Sequence, residues 1–291
     1  MATYLIAYRE DHLAFANWQG RILIVQSALY KRVYNGNSTL TTVIRYRLIA
    51  ALALILAPAA YGDRLNVAVA SNFAAPMEEI KKAFESRSEH ELVVIRGSSG
   101  KHYAQIRNGA PFDVFLSADQ ARPLRLLEEG IAIQGTLETY ALGRLALWSR
   151  KIGLNLGREY LLNTDNYGTL AIANPRLAPY GLAATEVLEA IGLQSDLNNR
   201  MVMGENIAQT FQFVYSGNAD IGLVAYSQTL SPAVRGQGSS WLVPSEHHQA
   251  IRQDMVLLTE SLAAREFAAF MDSDLAREIL RDQGYLSSDG R

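Results

Sequence analysis

The chain has 291 residues, 49% hydrophobic and 19% charged, with 21 glycines, 8 prolines and no cysteine, a globular composition long enough for two domains. The missing cysteine excludes a disulfide scaffold, a thiolate nucleophile and Cys-ligated zinc or iron–sulfur sites, but it does not exclude export. A formal charge of −2 offers no basic stripe of the kind that binds nucleic acid, so no nucleic-acid partner is expected.

From Leu48 to Ala60 the chain reads LIAALALILAPAA, thirteen uncharged residues preceded by Arg45 and Arg47. A membrane-spanning helix needs about 20 apolar residues. A basic stretch, a short apolar run and small residues near Ala60 and Gly62 read instead as a secretory signal ending near residue 62. Pro58 and the Ala-rich end suit a cleavage region better than the interior of a core helix. Residues 1–62 are therefore expected to lie outside the fold. A signal begins close to its basic region, so translation is expected to start near Leu40 or Val43. Taking away residues 1–62 removes six Lys/Arg and two Asp/Glu and leaves 229 residues with 21 basic and 27 acidic groups, net −6. Without cysteine, no lipoprotein anchor is available.

Leu65–Ala70 is an apolar strand ending in Ser71-Asn72, and Pro76–Phe84 has helical spacing, with Met77, Ile80, Ala83 and Phe84 on one face. Glu91–Ile95 is a β-branched strand, Gly97-Ser98-Ser99-Gly100 a turn, and Lys101–Asn108 a helix. Phe112–Leu116 is a third strand, Ser117–Asp119 a turn and cap, and Gln120–Glu129 a helix closed by Gly130. Tyr140–Arg144 is the first candidate crossover, and Leu145–Ser149 begins a new set of strands. Thr169–Ala173 is a strand, Asn174–Tyr180 a Pro-containing turn and Gly181–Ile191 a helix. Met201–Gly204 leads into a helix over Asn206–Tyr215, Asp220–Tyr226 is a buried strand, Met255–Leu258 another, and Ala263–Leu280 holds two helices. Strands alternating with helices define an α/β protein built on largely parallel sheets.

Four turns place small or hydrogen-bonding residues at helix starts: Ser71-Asn72, Ser98-Ser99-Gly100, Pro179-Tyr180-Gly181 and Glu205-Asn206-Ile207. A helix N-terminus has unpaired N–H groups and a partial positive charge, which suits an anion. In open α/β sheets such turns lie at the carboxyl ends of strands, where ligands bind. Ser and Asn are also the commonest caps, so one turn alone is explained by capping. Only several turns converging on one point would make a site.

Other motifs are weaker. Ser98-x-x-Lys101 matches the Ser-x-x-Lys of penicillin-recognising enzymes, but Ser-Asp-Asn and Lys-Thr-Gly do not follow. Gly97–His102 is like the tail of a P-loop, yet Ile95 stands where glycine belongs and His102 where a magnesium-binding hydroxyl belongs. The histidines at 12, 90, 102, 247 and 248 have no metal-ligand spacing, and His247-His248 reads as a solvated loop pair. Asp113 and Asp119 flank a strand end, and capping accounts for Asp119.

Three runs carry a resemblance: Ala68-Val-Ala-Ser71-Asn72-Phe, Gly97-Ser-Ser99-Gly, and Gln105 through Gln120, which includes GAPFDVFLSAD. It continues through Ala173-Asn-Pro175, Pro179-Tyr180-Gly181, Gly204-Glu-Asn206-Ile207 and Asp220-Ile-Gly-Leu-Val-Ala. Over about Leu65 to Tyr285 the chain resembles the periplasmic molybdate-binding proteins of ABC importers. The resemblance implies a two-lobed periplasmic binding protein fold. Each lobe would be a mixed, largely parallel sheet flanked by helices, with residues 63–142 plus 252–291 in lobe 1 and 143–251 in lobe 2. Crossings near 141–144 and 249–254 would form a hinge. The ligand would be a tetrahedral oxyanion, molybdate or tungstate, its metal held through its oxygens by Ser71, Asn72, Ser99, Tyr180 and Ile207. Ile207 can offer only its backbone. The resemblance further implies a monomer without cofactor or catalytic residues, located in the periplasm, whose partner is a membrane permease. Some relatives carry a small residue at the Tyr180 position and draw a tyrosine hydroxyl from where this chain has Ala225. Tyr180 could supply that contact, whereas Tyr226, one residue along, is expected to face the other way. Sulfate binding and a Ser–Lys hydrolase centred on Ser98 are the alternatives.

Overall fold

The computed structural model describes residues 4–9, 12–16, 22–25, 62–193, 197 and 199–287. Strands β1 (Tyr4–Arg9), β2 (His12–Ala16) and β3 (Ile22–Val25) form an antiparallel sheet of their own within a separate unit, Met1–Ala59. The apolar run Leu48–Ala60, read as a signal, lies outside the described residues.

The remainder is built on two five-stranded sheets of similar plan. In the first, β4 (Arg64–Ala70) lies between β5 (Glu91–Gly97) and β6 (Val114–Leu116), parallel to both. Two antiparallel strands, β13 (Ile251–Leu257) and then β7 (Glu138–Gly143), complete it. In the second, β9 (Leu170–Ala173) lies between β10 (Met201–Gly204) and β11 (Ile221–Ala225), again parallel. β8 (Leu145–Ser149) and β12 (Ser239–Leu242) add the antiparallel side. Helices α1 (Ala74–Glu85), α2 (Ser99–Arg107), α3 (Ala121–Glu128), α8 (Leu262–Met271) and α9 (Asp274–Asp282) accompany the first sheet in sequence. α4 (Arg158–Leu162), α5 (Pro179–Ala190), α6 (Ile207–Tyr215) and α7 (Tyr226–Thr229) accompany the second. This is the mixed, helix-flanked α/β arrangement expected from the sequence.

Apolar residues of both sheets account for the core. Leu65, Val67 and Val69 of β4 pack with Phe73, Met77 and Ile80 beneath α1, while Leu145, Leu147, Leu170, Ile172, Leu223 and Ala225 pack against Val187 and Leu188 of α5. Among the described residues no helix is long and apolar enough to cross a membrane.

Several boundaries differ from the sequence expectation. Tyr140–Arg144 is not an open crossover: its first four residues end strand β7, leaving Arg144 alone between the sheets. The return likewise ends earlier than 249–254 suggests, because Ile251–Asp254 already pair with β7. Met255–Leu257 is therefore the second half of a strand that begins at Ile251, and Leu258 lies just past its end. Tyr180, placed in a turn by its proline neighbour, lies in the first turn of α5, since Pro179 presets the helical φ and has no N–H to lose. Helix α2 opens at Ser99 rather than Lys101, because the Ser98 hydroxyl caps it.

Candidate functional site

In each sheet the central parallel strand has its two sequence successors on opposite sides. That arrangement opens a crevice at the strand's carboxyl end, the usual ligand position in open α/β sheets. For β4 the crevice holds Ser71 and Asn72, in a short 3-10 turn over Ser71–Phe73 that runs straight into α1. For β9 it holds the segment from Asn174 into α5. The two crevices face each other. The Ser71 hydroxyl donates to Asn206 Oδ1 at 3.3 Å, the Gly100 N–H to the Leu177 carbonyl at 2.9 Å, and Arg122 Nη2 to the Arg176 carbonyl at 2.9 Å. Lys101 forms an ion pair with Glu205 across the same mouth.

Ser71, Asn72, Ser99, Tyr180 and Ile207 are all buried here, none more than 7% exposed. Three helix starts share one economy of donors. At α2, the Ser98 hydroxyl takes the Lys101 N–H and the Leu177 carbonyl takes that of Gly100, leaving the Ser99 N–H. At α6, Asn206 Oδ1 takes the N–H groups of Ala208 and Gln209, each at 3.0 Å, leaving that of Ile207. At α5, Pro179 has no N–H and the Ala178 carbonyl takes those of Gly181 and Leu182, leaving that of Tyr180. Among the described residues no acceptor engages these three remaining N–H groups. Each is a buried donor with a helix dipole behind it.

The side chains divide differently. Ser99 Oγ accepts the Ala118 N–H at 2.9 Å, which fills a lone pair and leaves its proton free to be given. Asn72 Nδ2 is spent on Gln253 Oε1 at 2.8 Å and the Tyr285 hydroxyl at 3.0 Å, so what Asn72 can offer a ligand is its backbone N–H. The Tyr180 hydroxyl accepts from Gln253 Nε2 at 3.4 Å and fills the space where a Cβ on Gly143 would stand. Burial, with Tyr285 and Tyr140 close by, pushes the Tyr180 phenol well above its ordinary range, so it stays protonated. Gly181 is required where α5 meets the end of β9, because a Cβ there would overlap the Ala173 carbonyl.

The weaker motifs resolve into structure. Ser98 is the α2 cap, and the Lys101 ammonium is paired with Glu205 rather than with the Ser98 hydroxyl. His102 is buried beneath Gly97, its ring nitrogens meeting the Val69 carbonyl and Gln105, each at 3.2 Å. Desolvation lowers its pKa, against the opposing pull of those two bonds. Asp113 takes the Asn66 N–H at 2.7 Å and the Thr259 hydroxyl at 3.1 Å. Asp119 takes the Arg122 N–H at 2.9 Å. Tyr226 opens α7 with its ring beneath the Arg144 guanidinium, 4.8 Å from the ring centre. No group of three or more His, Cys, Asp or Glu suited to a metal ion occurs among the described residues. Sequence reasoning did not find Gln253, Tyr140 or Tyr285. Each is a buried polar residue whose partners lie far along the chain, so nothing local marks its role.

Two facing strand-end crevices lined by buried N–H groups that no acceptor among the described residues engages have the make-up of a solute-binding protein. Residues 65–286 match the family of bacterial extracellular solute-binding proteins, and the chain belongs to that family. It is 42% identical over 243 residues to the molybdate-binding protein ModA of Azotobacter vinelandii, an alignment covering 82% of this chain and 96% of the relative. The ModA of Rhodobacter capsulatus is also 42% identical over 243 residues, covering 81% and 94%. The solved structure of the periplasmic molybdate-binding protein of Azotobacter vinelandii superposes with a TM-score of 0.73 at 37% identity, covering 76% of this chain and 98% of that one.

Proposed function

We propose that this chain binds molybdate or tungstate in the periplasm and delivers it to the permease of an ABC importer. The observation that carries the reading is the donor set: the N–H groups of Asn72, Ser99, Tyr180 and Ile207, the Ser99 hydroxyl, and the Ser71 hydroxyl once it turns from Asn206 Oδ1 to the ligand, with no carboxylate among them. Molybdate carries no proton at neutral pH, so it accepts hydrogen bonds and gives none. A site of neutral donors matches it without a basic side chain, since bonds to a charged partner are about twice as strong as neutral ones. Hydrogen phosphate brings a proton that needs an acceptor, and the five residues offer it no carboxylate. The names of the relatives, molybdate-binding proteins, support the ligand class.

The lobes of this reading are 63–142 with 252–291, and 143–251. The chain acts as a monomeric binding protein and not as a hydrolase, in keeping with the engagement of Lys101 by Glu205. A signal sequence ending near residue 62 exports it, and a mature terminus found inside residues 1–42 by N-terminal sequencing would overturn that part. Calorimetric titration of the purified protein with molybdate, tungstate, sulfate and phosphate tests the whole. Binding of the first two at micromolar strength or better is expected, which corresponds to about 8 kcal/mol or more. No heat with either defeats the assignment, and a preference for sulfate would select that ligand instead.

A further inference from the structure

Behind the candidate site lies a buried network of neutral polar side chains centred on Gln253 of β13, which has no exposed surface. Its Oε1 accepts from Asn72 Nδ2 at 2.8 Å and from the Tyr140 hydroxyl at 3.1 Å, and its Nε2 donates to the Tyr180 hydroxyl at 3.4 Å. Tyr285 closes the other side of Asn72: its hydroxyl accepts from Asn72 Nδ2 and donates to the Asn72 carbonyl, both at 3.0 Å. The Ser227 hydroxyl, from the second sheet's side, reaches the same carbonyl at 3.3 Å. One amide therefore holds the crevice residue of the first sheet, Asn72, and that of the second, Tyr180. It does so from a strand next to the point where the chain passes between the sheets.

We infer that Gln253 is a positioning residue that sets the spacing between the Asn72 and Tyr180 backbone donors, and so fits the site to its oxyanion; this rests on the reading above. The partners leave little choice of side chain. Asn72 presents a donor, so the atom facing it must accept. The atom facing Tyr180 donates, which leaves the phenol proton for another acceptor. A side-chain amide does both, as does a protonated carboxyl group of the same shape, whereas a carboxylate cannot donate and a hydrocarbon side chain can do neither. The hydroxyls around it stay protonated: Tyr140, Tyr180 and Tyr285 are all raised by burial, Tyr285 to about 12, and the acidic groups that bear on Tyr140 are Asp254 and Asp119. The neighbouring Asp254 turns its carboxylate to Thr139 and Gln120. A buried amide with each polar atom engaged cannot shift without leaving a partner unpaired.

Gln253→Glu supplies the test because its protonation switches the donor on and off. Molybdate affinity is measured calorimetrically for the wild type, Gln253→Glu and the uncharged Gln253→Leu over about pH 5.5 to 9, a window in which a buried carboxyl with a raised pKa titrates. Gln253→Leu is expected to weaken binding about ten- to hundredfold. Gln253→Glu is expected to lose as much at the alkaline end and to recover toward the wild-type value as the pH falls and the carboxyl regains its proton. Should Gln253→Leu fail to fold, the Gln253→Glu profile decides alone. A ratio of Gln253→Glu to wild-type affinity that stays constant across the range overturns the inference, because a purely structural cost would not follow the protonation of residue 253. Absence of molybdate binding by the wild type in the same series would instead defeat the functional reading.

Discussion

The two walls of the candidate site offer donors in different ways. The wall beneath the first sheet brings hydroxyls, Ser71 and Ser99, beside backbone N–H groups. The wall beneath the second brings backbone alone, from Tyr180 and Ile207, with Asn206 and Pro179 consuming or removing the neighbouring N–H groups. The first wall is encoded in side-chain chemistry and is open to substitution. The second is encoded in where helices begin, and altering a side chain there leaves the donor in place.

The largest effect expected is on the support of the first wall. Phe73, fully buried behind Asn72, packs edge-on against Tyr140 and Tyr285 with ring centres 5.0 and 5.5 Å away. Phe73→Ala should cost about 3–5 kcal/mol of stability in chemical denaturation and weaken the oxyanion as well; an unchanged affinity would show that the turn holds its shape without this packing. Next is the contrast between the walls. Ser99→Ala should weaken molybdate by about 1–3 kcal/mol, since it removes a hydroxyl donor to a charged ligand and strands the Ala118 N–H. Ile207→Val should leave affinity within about 0.5 kcal/mol while costing about 0.5–1.5 kcal/mol of stability. Equal losses of affinity in both variants would abolish the proposed difference.

The smallest effect concerns His102, which lies beneath the first wall and is buried in neutral form. Its pKa is lowered in the folded protein, so below about pH 6.5 the unfolded chain binds the proton more readily. The stability it secures is present above that pH and is lost as the pH falls through the window between the two values. The stability gap between the wild type and His102→Gln, followed by thermal unfolding, should therefore narrow from pH 7 to pH 5.

Much of the fold was legible in the sequence because parallel strands buried on both faces read as unbroken apolar runs, as in Val67–Ala70 and Ile221–Ala225. Two of the four turns were legible because capping chemistry is local, Ser98 and Asn206 bonding within three residues of themselves, and a third because Pro179 opens a helix. Strand β7 and the first half of β13 were not. Glu138-Thr-Tyr-Ala and Ile251-Arg-Gln-Asp read as loop, since their polar residues are satisfied by partners far along the chain. Gln253 meets Asn72 across 181 residues, and Asp254 meets Thr139 across 115. Burial of a polar group is a property of the assembled molecule, and no window of sequence contains it. For Tyr180 the sequence could not show the disposition of its hydroxyl, because Gln253 and Gly143 determine it.

Arg144 stands alone between strands β7 and β8, whereas the return from β12 to β13 runs over residues 243–250. A single residue contributes one pair of soft torsions and no slack. The return is longer but held at both ends, the Val243 N–H bonding the Leu145 carbonyl at 3.0 Å and the Gln249 N–H the Glu186 carboxylate at 2.8 Å. The guanidinium resting on Tyr226 ties that single linking residue to the first turn of α7, so the short crossing is fastened to the second sheet's side by its own side chain.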